Sequence, residues 1–261
     1  MPTRRSAERH AALDELKDLF RRGDSAFVIH YSCESLEQPD GRTPRVTSVA
    51  IRNLKSGQTQ CFCIHKEAEL AGKLPPNPED FDQLERQLLG RLFQFFKEHK
   101  DALWLHWNMR DVTYGFHAIE QRHLVLGGEP YTIPDESKRD ISRALVAIYG
   151  ASYTPHPRLK TIMEANDITS LGFMSGSEEA AAFARGEFSK VSQSTSRKVD
   201  VLAELAKRAV DSTLKTRSKL FEKYGLSLRG FVDMLMDNPL VPVLGVVASV
   251  IAIGAAVLRC K

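Results

Sequence analysis

Apolar residues recur along this chain with two different spacings, and the spacing changes at turn-forming residues. In 1–25, apolar residues recur every three or four positions, which predicts an amphipathic N-terminal helix. Three stretches rich in β-branched and aromatic residues follow, and the turn 55–58 joins the second to the third. The pattern predicts three successive antiparallel strands, over residues 26–32, 45–53 and 59–65.

Helical spacing returns after the proline-rich linker 74–78. The later elements are a helix over 80–97, a strand from Leu103, a short strand over 131–133, and helices over 136–149 and 196–214. Antiparallel strands followed by alternating helices and strands predict an α/β domain, with a mixed sheet flanked by helices.

An uncharged run follows these elements. No charged residue occurs in 240–258, and about 20 apolar residues are what a helix needs to cross a bilayer core. We therefore expect a juxtamembrane amphipathic segment over 223–238 and a transmembrane tail anchor over 239–258. Basic residues precede the run and no N-terminal signal sequence is visible, so we expect a single-pass protein with its folded domain on the cytosolic side.

The same run allows a second interpretation. Gly245 and Gly254 provide the small-residue surface that favours association of helices in membranes. In this interpretation the tail makes a homo-oligomer and permeabilises the membrane by itself.

Composition narrows the class of protein. A chain of 261 residues with 43% hydrophobic content can bury one globular core with appendages. The formal charge of +3 gives little general attraction for a polyanion. Four cysteines at this length do not predict a disulfide framework, and Cys61 and Cys63 are better explained as small buried residues of a strand.

A polar cluster follows the strand that begins at Leu103. It contains His106, Asn108 and Asp111. A helical pattern follows Asp111, in which the face that begins with Val112 is predicted to pack in the core, and it stops at a pair of glycines, 127–128. Asp111 is placed to cap the first turn of that helix, where a carboxylate is stabilised by free backbone N–H groups.

This cluster resembles the second motif of the DEDD 3′–5′ exonucleases, in which a His-Asn pair precedes a metal-binding Asp. The chain departs from the motif because Trp107 separates His106 from Asn108. The resemblance implies a ribonuclease H-like domain over 26–222 and a pair of divalent ions, Mg or Mn. It also implies that Asp200, on the closing helix, is the last metal ligand.

The first motif of the family departs further. The family ends its first strand with Asp-x-Glu, whereas this chain has His30 and Ser32 at the two alternating positions, followed by Glu34. The usual general base before the last Asp is also missing, since hydroxyl residues stand there: Ser192, Thr195 and Ser196. Fewer carboxylates make a poor magnesium site.

Two interpretations follow from that departure. In the first, the site works in altered form: the three carboxylates of Glu34, Asp111 and Asp200 bind the metal, His30 adds an imidazole ligand beside them, and a softer ion such as manganese replaces magnesium. In the second, the fold is kept and the chemistry is lost, so that the domain binds a nucleic-acid end, a nucleotide or a protein in the same groove. His30 and, by the same reasoning, His106 are equally well explained as buried core histidines.

One amide residue and several basic and aromatic residues near the inferred groove are candidates for binding a single-stranded nucleic-acid end. They are Asn108, Arg110, Tyr114, Arg197 and Lys198. The sequence thus predicts a membrane-tethered, 3′–5′ exonuclease-like protein that binds or cleaves nucleic-acid ends. The alternatives are a catalytically inert, membrane-anchored interaction module and a membrane-disrupting effector.

Overall fold

The structure is a computed structural model that describes residues 4–35 and 42–219, together with residues 222, 224, 232 and 234. Within these residues five strands form one sheet, in the spatial order β3-β2-β1-β4-β5. The strands are β1 (Ala26–Cys33), β2 (Val46–Asn53), β3 (Thr59–Cys63), β4 (Leu103–His106) and β5 (Lys138–Asp140). β2 runs antiparallel to both of its neighbours, and β4 runs parallel to β1 and β5. The predicted mixed sheet flanked by helices is confirmed.

Helices cover both faces of the sheet. They are α1 (Arg4–Arg22), α2 (Ile64–Leu70), α3 (Phe81–Glu98), α4 (Phe116–Val125), α5 (Ile141–Tyr149), α6 (Arg158–Ala165), α7 (Gly176–Ala184) and α8 (Phe188–Val210). Side chains of a strand alternate between faces, so Val28 packs with α1, α5 and α8, whereas Phe27 packs with α3 and α4. Every residue of β1 is buried. β1 is therefore the central strand, and its carboxyl end is covered from both sides.

The predicted N-terminal helix is confirmed as α1. Its apolar stripe of Leu13, Leu16 and Leu19 is buried in the core that α5 and α8 share. The closing helix is also confirmed, and α8 buries the predicted stripe that includes Val199 and Leu202. It begins earlier than the apolar pattern indicates, at Phe188.

The fifth strand lies in a different place from the prediction. Residues 131–133 are not a strand, although Ile133 is buried, and the strand is instead Lys138–Asp140. This short strand lies at the edge of the sheet, where its side chains are only half-buried, and it carries no apolar alternation for a sequence pattern to detect. The helix predicted over 136–149 consequently begins at Ile141, with Asp140 as its N-cap.

The segment after β4 also differs from the prediction. The helix begins at Phe116 rather than beside Asp111, and Val112, predicted to face the core, is 69% exposed. Gly115 precedes the helix with a φ of 150°, and a Cβ there would lie 2.4 Å from the backbone carbonyl of Met109. Only glycine fits this crossing, so residues 111–115 form a tight turn instead of a first helical turn.

The predicted transmembrane anchor lies outside the described residues, as does the juxtamembrane segment apart from residues 224, 232 and 234. Among the residues that the structure does describe, no helix is both long enough and apolar enough to span a bilayer.

Candidate functional site

His30 and Ser32 lie near the carboxyl end of β1, on the face that α8 covers. The hydroxyls of Ser32 and Thr195 are 2.7 Å apart, which fixes the register of α8 against the strand. His30 is 6% exposed, and its pKa is well below the ordinary value because of burial, with the charge of Lys198 adding to the effect. At neutral pH its imidazole is therefore uncharged.

Lys198 is buried at the same level of β1. Its Nζ lies 2.6 Å from Oε2 of Glu179 on α7, and both side chains are at most 5% exposed. Ser194 donates a further hydrogen bond of 2.6 Å to the other oxygen of Glu179. This predicted nucleic-acid contact is thus the cation of a buried ion pair.

Glu34 follows β1 in the chain but is held away from α8. One of its carboxylate oxygens accepts a 3.0 Å hydrogen bond from the backbone N–H of Arg45, whose guanidinium pairs with the other oxygen. The same guanidinium contacts Asp82 of α3, on the opposite face of the sheet. Glu34 therefore belongs to an arginine network beside α3.

Asp200 lies at the other end of β1. Its Oδ1 is 2.9 Å from Nη1 of Arg52, and Arg52 is the register partner of Val28. Six residues, or roughly 20 Å of extended strand, separate Val28 from Glu34. The α8 residues that face the carboxyl end of β1 are therefore Thr195 and Lys198 rather than Asp200.

Asp111 is exposed in the turn after β4. Its Oδ1 accepts two hydrogen bonds of 2.8 Å from Thr113, one from the backbone and one from the hydroxyl, and these hold its pKa below the ordinary value. It caps this turn instead of the helix.

These positions do not fit a pair of divalent ions. Such ions need several anionic oxygens around a common point, whereas two of the three predicted carboxylates are paired with arginines at distant levels of the sheet. The nearest charge to His30 on α8 is an ammonium, which repels a metal ion. Within residues 4–35 and 42–219, no group of three or more His, Cys, Asp or Glu side chains could hold a metal.

The histidine of the predicted second motif is a core residue. His106 is 1% exposed and its Nδ1 accepts a 3.2 Å hydrogen bond from the backbone of Met109. Burial, the largest effect, lowers its pKa to about 4. The fixed imidazole orients the start of the turn that carries Asn108 and Arg110.

The remaining predicted contacts are divided among three places. Asn108 and Arg110 lie beyond β4, where the Asn108 backbone N–H and the Arg110 Nε both donate to Asp140. Tyr114 stacks on Tyr31 with ring centroids 4.6 Å apart. Arg197 is separate from both places and donates to the backbone carbonyl of Thr169.

A cleft beside Arg110 was not predicted. It has a volume of about 880 Å³ and lies at the carboxyl ends of β4 and β5, between α4 and the α1–α5 pair; we call it the arginine cleft. Four basic residues line it: Arg110, Lys138, Arg139 and Arg143. Five carboxylates also line it: Glu8, Glu15, Glu120, Asp135 and Asp140. Opposite charges are therefore interspersed in its walls.

The pairing of these charges decides what the cleft can bind. Arg110 and Lys138 are neutralised by Asp140 and Asp135. Arg139 donates only to backbone carbonyls, and neither Arg139 nor Arg143 forms an ion pair with any carboxylate in the described part of the chain. Two guanidiniums are thus available to an anionic ligand.

A second cavity, of about 640 Å³, opens at the carboxyl end of β1 between α6, α7 and α8; we call it the β1 pocket. His30, Ser32, Lys198 and Glu179 lie at its inner end. No lining residue is shared with the arginine cleft.

Comparison with known proteins does not assign this chain to a family. No protein-family model matches the chain, and no curated protein matches it in sequence.

Proposed function

We propose that this protein is a membrane-tethered, ribonuclease H-like domain that binds the end of a single-stranded nucleic acid and has lost the two-metal chemistry of the DEDD exonucleases. The order of its elements supports the relationship. Three antiparallel strands, a crossover helix and then parallel strands separated by a helix follow the order that this fold requires. The tether rests on the uncharged run 240–258 of the sequence.

The arginine cleft is the observation that carries nucleic-acid binding. In open α/β sheets, ligands bind beyond the carboxyl ends of the strands, and the cleft lies at the ends of β4 and β5. Arg139 and Arg143 present guanidiniums without carboxylate partners among the described residues, and guanidinium is the side chain best suited to bidentate contact with phosphate. Because carboxylates are interspersed, the cleft favours a few aligned phosphates over a long polyanion.

The loss of cleavage follows from the placement of the carboxylates. Glu34 and Asp200 are separated along β1 and each is held by an arginine, and Lys198 is the charged group of α8 that faces His30. The nucleic acid is therefore bound through guanidiniums rather than through metal ions, and binding should not require a divalent cation.

The test is fluorescence anisotropy of a labelled single strand with the full-length protein in lipid nanodiscs. Binding is measured in EDTA and in Mg²⁺, for the wild type and for Arg139→Ala/Arg143→Ala. We expect equal affinity with and without metal and a loss of about tenfold or more in the double variant. Arg185→Ala is the matched control, because Arg185 is exposed and already paired with Glu187. Metal-dependent binding, or shortening of the strand in Mg²⁺, would contradict the proposal.

A further inference from the structure

The inner end of the β1 pocket contains hydrogen-bonding groups that the fold does not satisfy. The His30 side chain is only 6% exposed, and its Nδ1 has no hydrogen-bond partner among the described residues. The ammonium of Lys198 has three N–H donors, and its ion-pair partner is Glu179. The His30 nitrogen is itself closed off from the cavity, so the donors left for a ligand are those of the Lys198 ammonium.

The walls of the pocket are mostly apolar. The apolar lining is Tyr31, Pro157, Leu159, Met163, Ile168 and Phe173, and three exposed charged residues, Lys160, Glu164 and Glu178, also line the cavity away from its buried inner end. Phe173 also lies with its ring centroid 5.7 Å from the Lys198 ammonium, so that the apolar wall extends down to the polar end. A cavity of about 640 Å³ is within the range of small-molecule sites. Its shape favours a ligand with an apolar body and one polar head.

The charges at the inner end of the β1 pocket determine which kind of polar head a ligand can place there. Lys198 and Glu179 neutralise each other, and His30 beside them carries no charge. An anionic head would bring a second negative charge against Glu179, and a cationic head would be repelled by Lys198. A neutral acceptor, such as an amide or ketone oxygen, can take a hydrogen bond from Lys198 without either penalty.

We propose that the β1 pocket binds a small, uncharged, largely apolar molecule, whose carbonyl oxygen accepts a hydrogen bond from Lys198 beside the uncharged His30. This site is distinct from the arginine cleft and does not depend on nucleic-acid binding. It makes the domain a receptor for a small molecule as well.

Three probes with one body and different heads test this proposal: 4-phenylbutanamide, 4-phenylbutanoate and 4-phenylbutylamine. Binding is measured by isothermal titration calorimetry with the full-length protein in nanodiscs, after subtraction of empty nanodiscs. We expect the amide to bind about tenfold more tightly than either charged probe. Equal binding of the three probes, preference for a charged one, or no binding of the amide at millimolar concentration would overturn the proposal.

Variants locate the site. Leu159→Trp places a larger side chain at the half-buried mouth and should abolish binding of the amide, as should Lys198→Met. Lys190→Met is the matched control on the same helix, because Lys190 is exposed and pairs with Glu187 outside the pocket.

Glu179→Gln gives the sharper result, since it leaves the ammonium without its anion and should reverse the preference toward 4-phenylbutanoate. Circular dichroism checks that each variant folds. If Lys198→Met does not fold, Leu159→Trp decides the location, and unchanged amide binding in that variant would contradict it.

Discussion

Asp200 of α8 and Arg52 of β2 form an ion pair of 2.9 Å at the level of Val28, near the amino end of β1. This pairing separates Asp200 from Glu34, which follows the other end of the same strand. The resemblance to the DEDD exonucleases implied that these carboxylates share a metal site. Their separation is the main structural reason for proposing a binding domain without two-metal chemistry.

Asp200→Asn tests the role of that carboxylate. Both side chains of the pair are about one-third exposed, so solvent screening limits its contribution to roughly 1 kcal/mol or less of unfolding free energy. We expect a small loss of stability in urea unfolding and no change in nucleic-acid affinity. A large loss of nucleic-acid affinity with unchanged stability would show that Asp200 belongs to the nucleic-acid-binding site.

Glu179→Gln should have a much larger effect on stability. It leaves the Lys198 ammonium buried without a counter-charge, which costs about 3–5 kcal/mol in comparable cases. The double variant Glu179→Leu/Lys198→Met removes both charges and should recover most of the loss in urea unfolding. Glu187→Gln, which breaks exposed pairs with Arg185 and Lys190, is the control and should lose much less stability, because solvent screens these pairs. Similar losses in the two single variants would mean that the Lys198–Glu179 pair is solvated.

Three buried histidines, His30, His106 and His123, predict how stability depends on pH, because burial lowers the pKa of each. Burial holds the pKa of His106 at about 4, against an ordinary value of 6.5 in the unfolded chain. Below pH 6.5 the unfolded state binds more protons, so stability should fall as the pH drops from 6.5 toward 4, by about 2 kcal/mol at pH 5 for this histidine. The pKa of His30 is lowered in the same direction and adds to the loss.

His106→Gln keeps an acceptor for the Met109 backbone and removes the titrating group. We expect urea unfolding at pH 7 and pH 5 to show a smaller difference in this variant than in the wild type. The exposed His117 provides the control, and His117→Gln should leave the difference unchanged. An equal pH dependence in His106→Gln would show that His106 is protonated in the folded protein.

Gly115→Ala tests the turn after β4. Its Cβ would collide with the Met109 carbonyl, and its φ of 150° is strained for any other residue, so we expect a loss of about 2 kcal/mol or more. Gly90→Ala is the opposite control, since Gly90 lies inside α3 with open space around it and alanine should stabilise that helix by about 0.5–1 kcal/mol. Thermal unfolding of both variants checks the pair, and an unchanged Tm for Gly115→Ala would contradict the described turn.

Elements were predictable from the sequence where periodicity and burial agree. β1 is buried throughout, and begins with the apolar run 26–29, because both of its faces are covered, and α8 shows its stripe because one face packs on the sheet. β5 was placed wrongly because an edge strand with half-buried polar residues leaves no apolar pattern. The turn before α4 was also placed wrongly. Val112 lies four residues before Phe116, which is a helical spacing, although the helix begins only at Phe116.

The candidate site was harder to predict because its geometry depends on contacts between distant residues. Arg45 and Arg52 hold Glu34 and Asp200 across the sheet, and no local pattern indicates either pairing. Lys198 is predicted from the sequence as a nucleic-acid contact, because no local pattern indicates its buried partner on α7, Glu179. Arg139 was missed because its strand was not recognised.

The most direct measurement is titration of the full-length protein in nanodiscs with Mn²⁺ and with Mg²⁺ by calorimetry, using Asp111→Ala as the control. Asp111 is exposed and caps only its own turn, so the variant should fold normally. We predict no saturable binding of either ion to wild type or variant. Saturable binding that is lost in Asp111→Ala would contradict this account and make an altered metal-dependent exonuclease the correct description.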